Sequence, residues 1–272
     1  MLGTDLVAVL AGRGAAAEAY DLPGFDVRNP RHVQQALRRA GAVINCAAYT
    51  DVDGAESDPG TAYGVNAQAV GELGRLAASA GVPVLHVSTD YVFDGGGYRP
   101  WREDDPAAPL GVYGASKLEG ERQLASSGCR FCIVRLQWTY GAAGNNFIRK
   151  ILERASAGRP LRVVDDQVGS PTSTREAARA LADLLLGPGG LPGGVFHFAA
   201  AGFASRFEVA RFVVGEKGLG AEVLPCSSRE FPAPARRPGN SRFDCRKISR
   251  LLGEPIRPWQ EPLRRYLENV QA

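Results

Sequence analysis

Short apolar runs alternate with longer amphipathic stretches along most of the chain. The runs AEAYDL (17–22), AVINCAAY (42–49), VPVLHVSTDYVF (82–93), RFCIVRLQW (130–138) and GVFHFAA (194–200) are short and apolar, and read as strands. RHVQQALRRAG (31–41), TAYGVNAQAVGELGRLAASAG (61–81), YGASKLEGERQLASSG (113–128) and NNFIRKILERASAG (145–158) lie between them with helical spacing. Strand–helix alternation of this kind predicts an α/β fold with a parallel, doubly wound sheet. AVINCAA shows no in–out alternation, as expected for a strand covered on both faces.

The pattern loosens past about residue 150. PLRVVDDQVGSPTSTREAARALADLLLG predicts a strand, an irregular loop and a helix capped by Ser173 or Thr174, with Glu176 in its first turn. GPGGLPGG (187–194) reads as a surface loop, and FPAPARRPGNSRFD (231–244) as an ordered crossing loop or lid. The expected organisation is one region at 1–150 and a second at 151–272, with about 165–200 returning to the main sheet.

Composition narrows the class. With 272 residues, 44% hydrophobic and 22% charged, the chain has room for one large domain or two modest ones. A net charge of +3 gives no case for nucleic acid or membrane attraction. No apolar run would span a bilayer and no secretory pattern opens the chain, so a cytoplasmic location is expected. The five cysteines are odd in number and scattered, which argues against a disulfide framework. Cys129 and Cys132 form C-R-F-C, but in a strand these positions point to opposite faces, and no metal role is expected.

The chemistry concentrates in GVYGASKLEGE (111–121). Tyr113 and Lys117, four apart, share one face of the predicted helix. An ammonium beside a phenol favours the phenolate, so Lys117 is expected to lower the Tyr113 pKa. Ser88 and Thr89 end the strand before it and place hydroxyls where open α/β sheets bind ligands. Ala47 and Ala48 end an earlier strand with side chains small enough for a flat ligand to approach the backbone. Asp21 closes the first candidate strand, where an acid can accept from an adenosine ribose.

INCAAYTDVDGAE, HVSTDYVFDG, VYGASKLEGE, VVDDQVGSPT and PAPARRPGNS, in this order, resemble the extended short-chain dehydrogenase/reductase superfamily, and within it the dTDP-4-dehydrorhamnose reductases. The resemblance runs from about residue 3 to the end. It implies a Rossmann-like sheet with a smaller C-terminal substrate-binding region, and reduction of a dTDP-ketosugar by NADPH or NADH. Thr89, Tyr113 and Lys117 resemble the catalytic triad, with Lys117 also on the nicotinamide ribose. Ala47, Ala48, Tyr49 and Thr50 resemble the cofactor-lining segment, with Asp26 and Val27 near the adenine. Trp138 resembles the tryptophan that packs on the deoxysugar, and Val52, Phe93, Asn146, Gln167 and Arg237 are further substrate-site candidates. Asn146 equally reads as a helix cap. A homodimer is carried as an expectation.

Some positions depart from the family pattern. Gly111 stands where asparagine is usual, and Gln137 where serine is common. Family members open on a strand and a glycine-rich turn, whereas this chain opens MLGTDLVAVLAGRG, in which Gly3 resembles the last glycine of that turn. The expected sheet therefore lacks its usual first strand. A start placed too late is favoured over a true truncation. Two other readings stay open. One is an epimerase or dehydratase, although Asp90-Tyr91 replaces the Asp-Glu pair of dehydratases. The other is a regulatory protein similar to the methionine adenosyltransferase regulatory subunit.

Overall fold

The structure, a computed structural model, describes residues 1–270. Helix α1 (Leu2–Gly12) comes first, followed by an irregular stretch and α2 (Pro30–Leu37), whose cap Asn29 accepts from the Arg31 N–H. Strand β1 (Val43–Asn45) leads to short helices α3 (Val52–Ser57) and α4 (Pro59–Tyr63). A π-helical turn at Gly64–Gln68 joins α4 to α5 (Ala69–Ala80), where the sequence predicts one unbroken helix. Then come β2 (Val84–Thr89), α6 (Val112–Ala125), β3 (Phe131–Leu136), β4 (Thr139–Tyr140) and α7 (Phe147–Ser156). The remainder is β5 (Leu161–Val164), β6 (Val168–Gly169), β7 (Thr172–Ser173), α8 (Thr174–Leu186), β8 (Gly194–Phe198), β9 (Ala204–Ser205), α9 (Arg206–Glu216), β10 (Val223–Cys226), α10 (Arg246–Leu252) and α11 (Gln260–Glu268).

The main sheet is parallel, in the order β1-β2-β3-β8. Strand alternation sends Leu85, Cys132, Val134 and Leu136 to one face, against α1, α8 and α10. Val84 and Ile133 face the opposite layer of α2, α5 and α6. Leu6 and Leu10 seat α1 on α8; burying a leucine contributes about 1.5–3 kcal/mol. A separate core gathers α7, α9 and α11 around β5, which pairs with β10. Because β8 pairs with β3, the later part of the chain returns to the main sheet.

Two expectations change. Residues 17–22 form no strand; they are exposed and without regular structure. A strand needs a ladder partner for its backbone groups, and among the described residues the outer edge of β1 carries none. Ser173 does sit at the α8 cap position, but its side chain makes no capping bond. Thr174 instead bonds the Tyr140 carbonyl at 3.1 Å and the Asp5 carboxylate of α1. Among the described residues no helix is long and apolar enough to cross a membrane.

Candidate active site

The carboxyl ends of β1 and β2 and the first turns of α6 bring the predicted chemistry together. Thr89 ends β2 and is buried; its hydroxyl accepts from the Tyr91 N–H at 3.2 Å and contacts Asp90 Oδ1 at 3.2 Å. Tyr113 opens α6, edge-on to Tyr91 with ring centres 5.3 Å apart. Glycine makes this approach possible, since a Cβ at Gly114 would collide with the Tyr91 carbonyl, and one at Gly120 with the Asn66 carbonyl. Gly111, at the α6 cap, has no side chain to offer. The Glu56 carboxylate of α3 takes the Val112 N–H at 2.8 Å in its place.

The Tyr113 phenol is not lowered, contrary to the sequence expectation. Burial pushes it well above the ordinary tyrosine value, the nearby Thr89 hydroxyl opposes part of that rise, and the Asp90 charge adds to it. Lys117 is not among the groups that offset the rise, and its amine has other partners. It donates to the Val87 carbonyl at 2.7 Å and lies 3.3 Å from His86 Nε2. Burial pulls Lys117 down to about 8, while Glu121 and Cys46 act in the opposite sense. The phenol is therefore protonated in this state.

After β1, the Ala47 N–H donates to Asn45 Oδ1 at 3.1 Å. Asn66, from the π-helical turn, holds Tyr49 from both sides: its Oδ1 accepts from the Tyr49 N–H at 2.9 Å and its Nδ2 donates to the Tyr49 carbonyl at 3.1 Å. The same Nδ2 reaches Ser116 Oγ on α6 at 3.0 Å. Ala47 and Thr50 are exposed, and Ala48 is partly so. The other cofactor candidates lie apart from this cluster. Gly3 sits inside α1 with open space around its Cα, and the carboxylate of exposed Asp21 accepts from the neighbouring Leu22 N–H. Asp26 pairs with Arg28 at 2.7 Å, which holds its carboxyl below the usual range; Val27 beside it is half-buried.

Among the residues expected to face the sugar, Trp138 adopts φ 45°, a left-handed backbone rare for a bulky residue. The Arg206 guanidinium lies 3.7 Å above its ring centre and 4.9 Å from that of Phe147. The Gln167 carbonyl takes the Arg206 N–H at 3.2 Å. Arg237 bonds Asp53 at 2.7 Å and so ties the 231–244 crossing loop to α3, next to Val52. Asp90 is buried, accepts from Ser241 Oγ of that loop at 2.5 Å, and is raised by burial to about 6. Two candidates are used structurally. Asn146 caps α7 through the Arg149 N–H and donates to the Gly141 carbonyl. Phe93 is fully buried, stacked on Trp101 at 4.5 Å and edge-on to His197, so its ring faces the core.

Residues 1–272 match the family described as RmlD substrate binding domain. The dTDP-4-dehydrorhamnose reductase of Mycobacterium tuberculosis is 42% identical over 269 residues, covering 96% of this chain and 88% of that protein. The chain belongs to the dTDP-4-dehydrorhamnose reductase family. Solved structures agree. The family member from Clostridium acetobutylicum superposes with a TM-score of 0.93 at 34% identity, covering 100% of this chain and 96% of the other. That from Bacillus anthracis, solved in complex with NADP, also gives 0.93 at 32% identity, with 99% and 95% covered.

Sequence reasoning missed Asn45, Asn66, His86, Asp90 and Arg206. His86 and Asp90 carried a signal, as polar residues inside the apolar run VLHVSTDYVF, where burial demands a partner. Asn66 carried none, because nothing local marks a π-helical turn.

Proposed function

We propose that this chain reduces the C4 ketone of dTDP-4-dehydro-L-rhamnose to dTDP-L-rhamnose. Residues 1–150 would serve mainly the dinucleotide, and 151–272 mainly the sugar nucleotide. The observation that carries this reading is a protonated, enclosed phenol at 113 beside the Thr89 hydroxyl, at the carboxyl end of a parallel sheet. The donor set suits a reduced nicotinamide cofactor, NADPH or NADH. Exposed Ala47 and partly exposed Ala48 leave room for a flat group, and the Lys117 amine and Tyr113 phenol suit ribose hydroxyls. Ala47, Ala48, Tyr49, Thr50 and Lys117 would hold it, with Asp26 and Val27 towards its adenine. Bound there, such a cofactor supplies hydride to the carbonyl carbon.

The chain's own part is proton delivery and orientation. Tyr113 gives its proton to the carbonyl oxygen as negative charge develops there. A phenol held protonated by burial keeps that proton available until the oxygen becomes a strong base. Thr89 hydrogen-bonds the same oxygen and holds it against the phenol. Trp138 offers an apolar face to the sugar, with Gln167 and Arg237 at its margin. Positioned acid catalysis typically contributes about 10²–10⁴-fold. Tyr113→Phe is therefore expected to cut turnover by about that factor and NADPH affinity by far less, read by NADPH consumption with the dTDP-ketosugar and by cofactor titration. Unchanged turnover would remove Tyr113 from this role. No consumption by the unaltered protein would remove the reaction.

A further inference from the structure

Beneath the phenol runs a buried polar row that the reaction above leaves unused. Asn45 and His86 are register partners across β1 and β2, and Lys117 reaches them from α6. All three are almost fully buried. The row has a direction, and its fixed point is the backbone. The Ala47 N–H donates to Asn45 Oδ1 at 3.1 Å, so the oxygen of that amide is committed. The amide nitrogen then faces His86 Nδ1, at 3.1 Å.

An amide nitrogen carries only donors. His86 Nδ1 must therefore accept, and the single proton of the neutral ring sits on Nε2. That Nε2 lies 3.3 Å from Lys117 Nζ. An ammonium has no lone pair to receive the proton, whereas a neutral amine has one. The amine has a second fixed contact, since it donates to the Val87 carbonyl at 2.7 Å. A neutral amine satisfies every contact in the row; an ammonium leaves N–H facing N–H in a buried site. We propose that Asn45 and His86 favour the neutral amine of Lys117 over its ammonium, and that the Ala47 N–H, through the Asn45 amide and the His86 tautomer, controls when Lys117 takes up its charge.

The surroundings weaken the lysine charge without abolishing it: burial pulls Lys117 down to about 8, so the neutral amine prevails above that pH. Burial pushes His86 well below its ordinary value, so the ring is neutral. Of the groups around Lys117, Glu121 on α6 is spent on Arg135, bonding it at 2.9 and 2.7 Å. The Cys46 thiol, after β1, is pushed up to about 11 by burial and is uncharged. Tyr113, on the same helix, is protonated. The Glu121 charge still favours the ammonium, but its carboxylate is shared with Arg135. If Asn45 turned its amide, Oδ1 would face His86, the tautomer would reverse and Lys117 could donate as an ammonium. The Ala47 N–H would then need another acceptor. Ala47 belongs to the segment read above as cofactor-lining, so the coupling has functional meaning only on that reading; the proton positions do not depend on it.

The test reads the protons directly. In protein labelled with ¹⁵N-histidine and held at about pH 9, where the amine is neutral, His86, separated from His32 and His197 by a His86→Gln control, should show the Nε2–H tautomer of a neutral ring. The Nδ1–H tautomer would overturn the proposal. Asn45→Asp supplies a carboxylate that accepts from both the Ala47 N–H and a His86 Nδ1–H. It should reverse the tautomer and raise the Lys117 titration, followed against Lys150, Lys217 and Lys247, by about one pH unit or more, a tenfold shift in acidity. An unmoved tautomer in Asn45→Asp would also count against the row. If that variant does not fold, the tautomer of the unaltered protein decides alone. Failure of the ketosugar assay with the Nε2–H tautomer present would remove the reaction and leave this row standing.

Discussion

The cluster at the ends of β1 and β2 and the segment from residue 14 to 29 are built in different ways. In the cluster, several polar groups are held by residues far away in the chain: Tyr49 by Asn66, Lys117 by His86 and Val87, Asp90 by Ser241. In the 14–29 segment, contacts are mostly local, such as Asp21 with the Leu22 N–H and Asp26 with Arg28, and most side chains are exposed. The first arrangement fixes a geometry by several independent constraints, as proton transfer requires. The second constrains little, so its contribution to binding must come from the ligand's own contacts.

The comparison breaks most visibly at Glu121. Its carboxylate takes both arms of Arg135, at 2.9 and 2.7 Å, with both side chains about 6% exposed. Removing one partner leaves a buried, uncompensated charge, at a cost of about 3–5 kcal/mol. Glu121→Gln should lower stability by about that amount in denaturant unfolding and loosen α6, which carries Tyr113 and Lys117. A loss under about 1 kcal/mol would show that this part of the site is not over-determined.

Asp90 gives a smaller, pH-resolved effect. Its folded pKa is raised by burial to about 6, against the 3.8 of a free carboxyl. A raised carboxyl favours the folded state while protonated. That stabilisation is fully present below the unfolded value and is lost as pH rises through about 6. Its full size is roughly 2–3 kcal/mol. Asp90→Asn should flatten the fall in stability between about pH 4 and 6. It should also change how the crossing loop sits on Thr89, because Ser241 and Thr89 both touch this carboxyl. An identical pH profile in the variant would remove Asp90 from this account.

The same contrast explains what could be read from the chain. The four parallel strands follow from uninterrupted apolar runs, and the Tyr113–Lys117 face follows from helical spacing. Arg135 within RFCIVRLQW and the histidine in VLHVST announce buried partners without naming them, since Glu121 and Asn45 are close only in three dimensions. AEAYDL looks like a strand because side-chain pattern does not reveal whether a neighbouring ladder exists. Nothing in the sequence around Phe93 marks its stacking on Trp101, which comes from the 231–244 loop closing over it: Trp101 bonds the Asn240 carbonyl at 2.9 Å and Phe243 packs beside it. Lys117 sits where helical spacing puts it, but spacing alone could not say which way its amine points.

The smallest stability effect is expected at Asp26. Its pairing with Arg28 spans two residues at the surface and ties no distant element together. Exposed pairs of this kind contribute little because water and salt screen them. Asp26→Ala should therefore move the melting midpoint by under about 2 °C. If this end of the cleft receives the adenosine, the same change should weaken NADPH or NADH binding by about tenfold or more, the value of one charged hydrogen bond. Cofactor titration would read this without any turnover. Equal affinity in the variant for both nucleotides would take residue 26 out of the binding surface and leave the segment a connector between α1 and α2. A large stability loss would instead show that the segment is fixed as firmly as the strand ends.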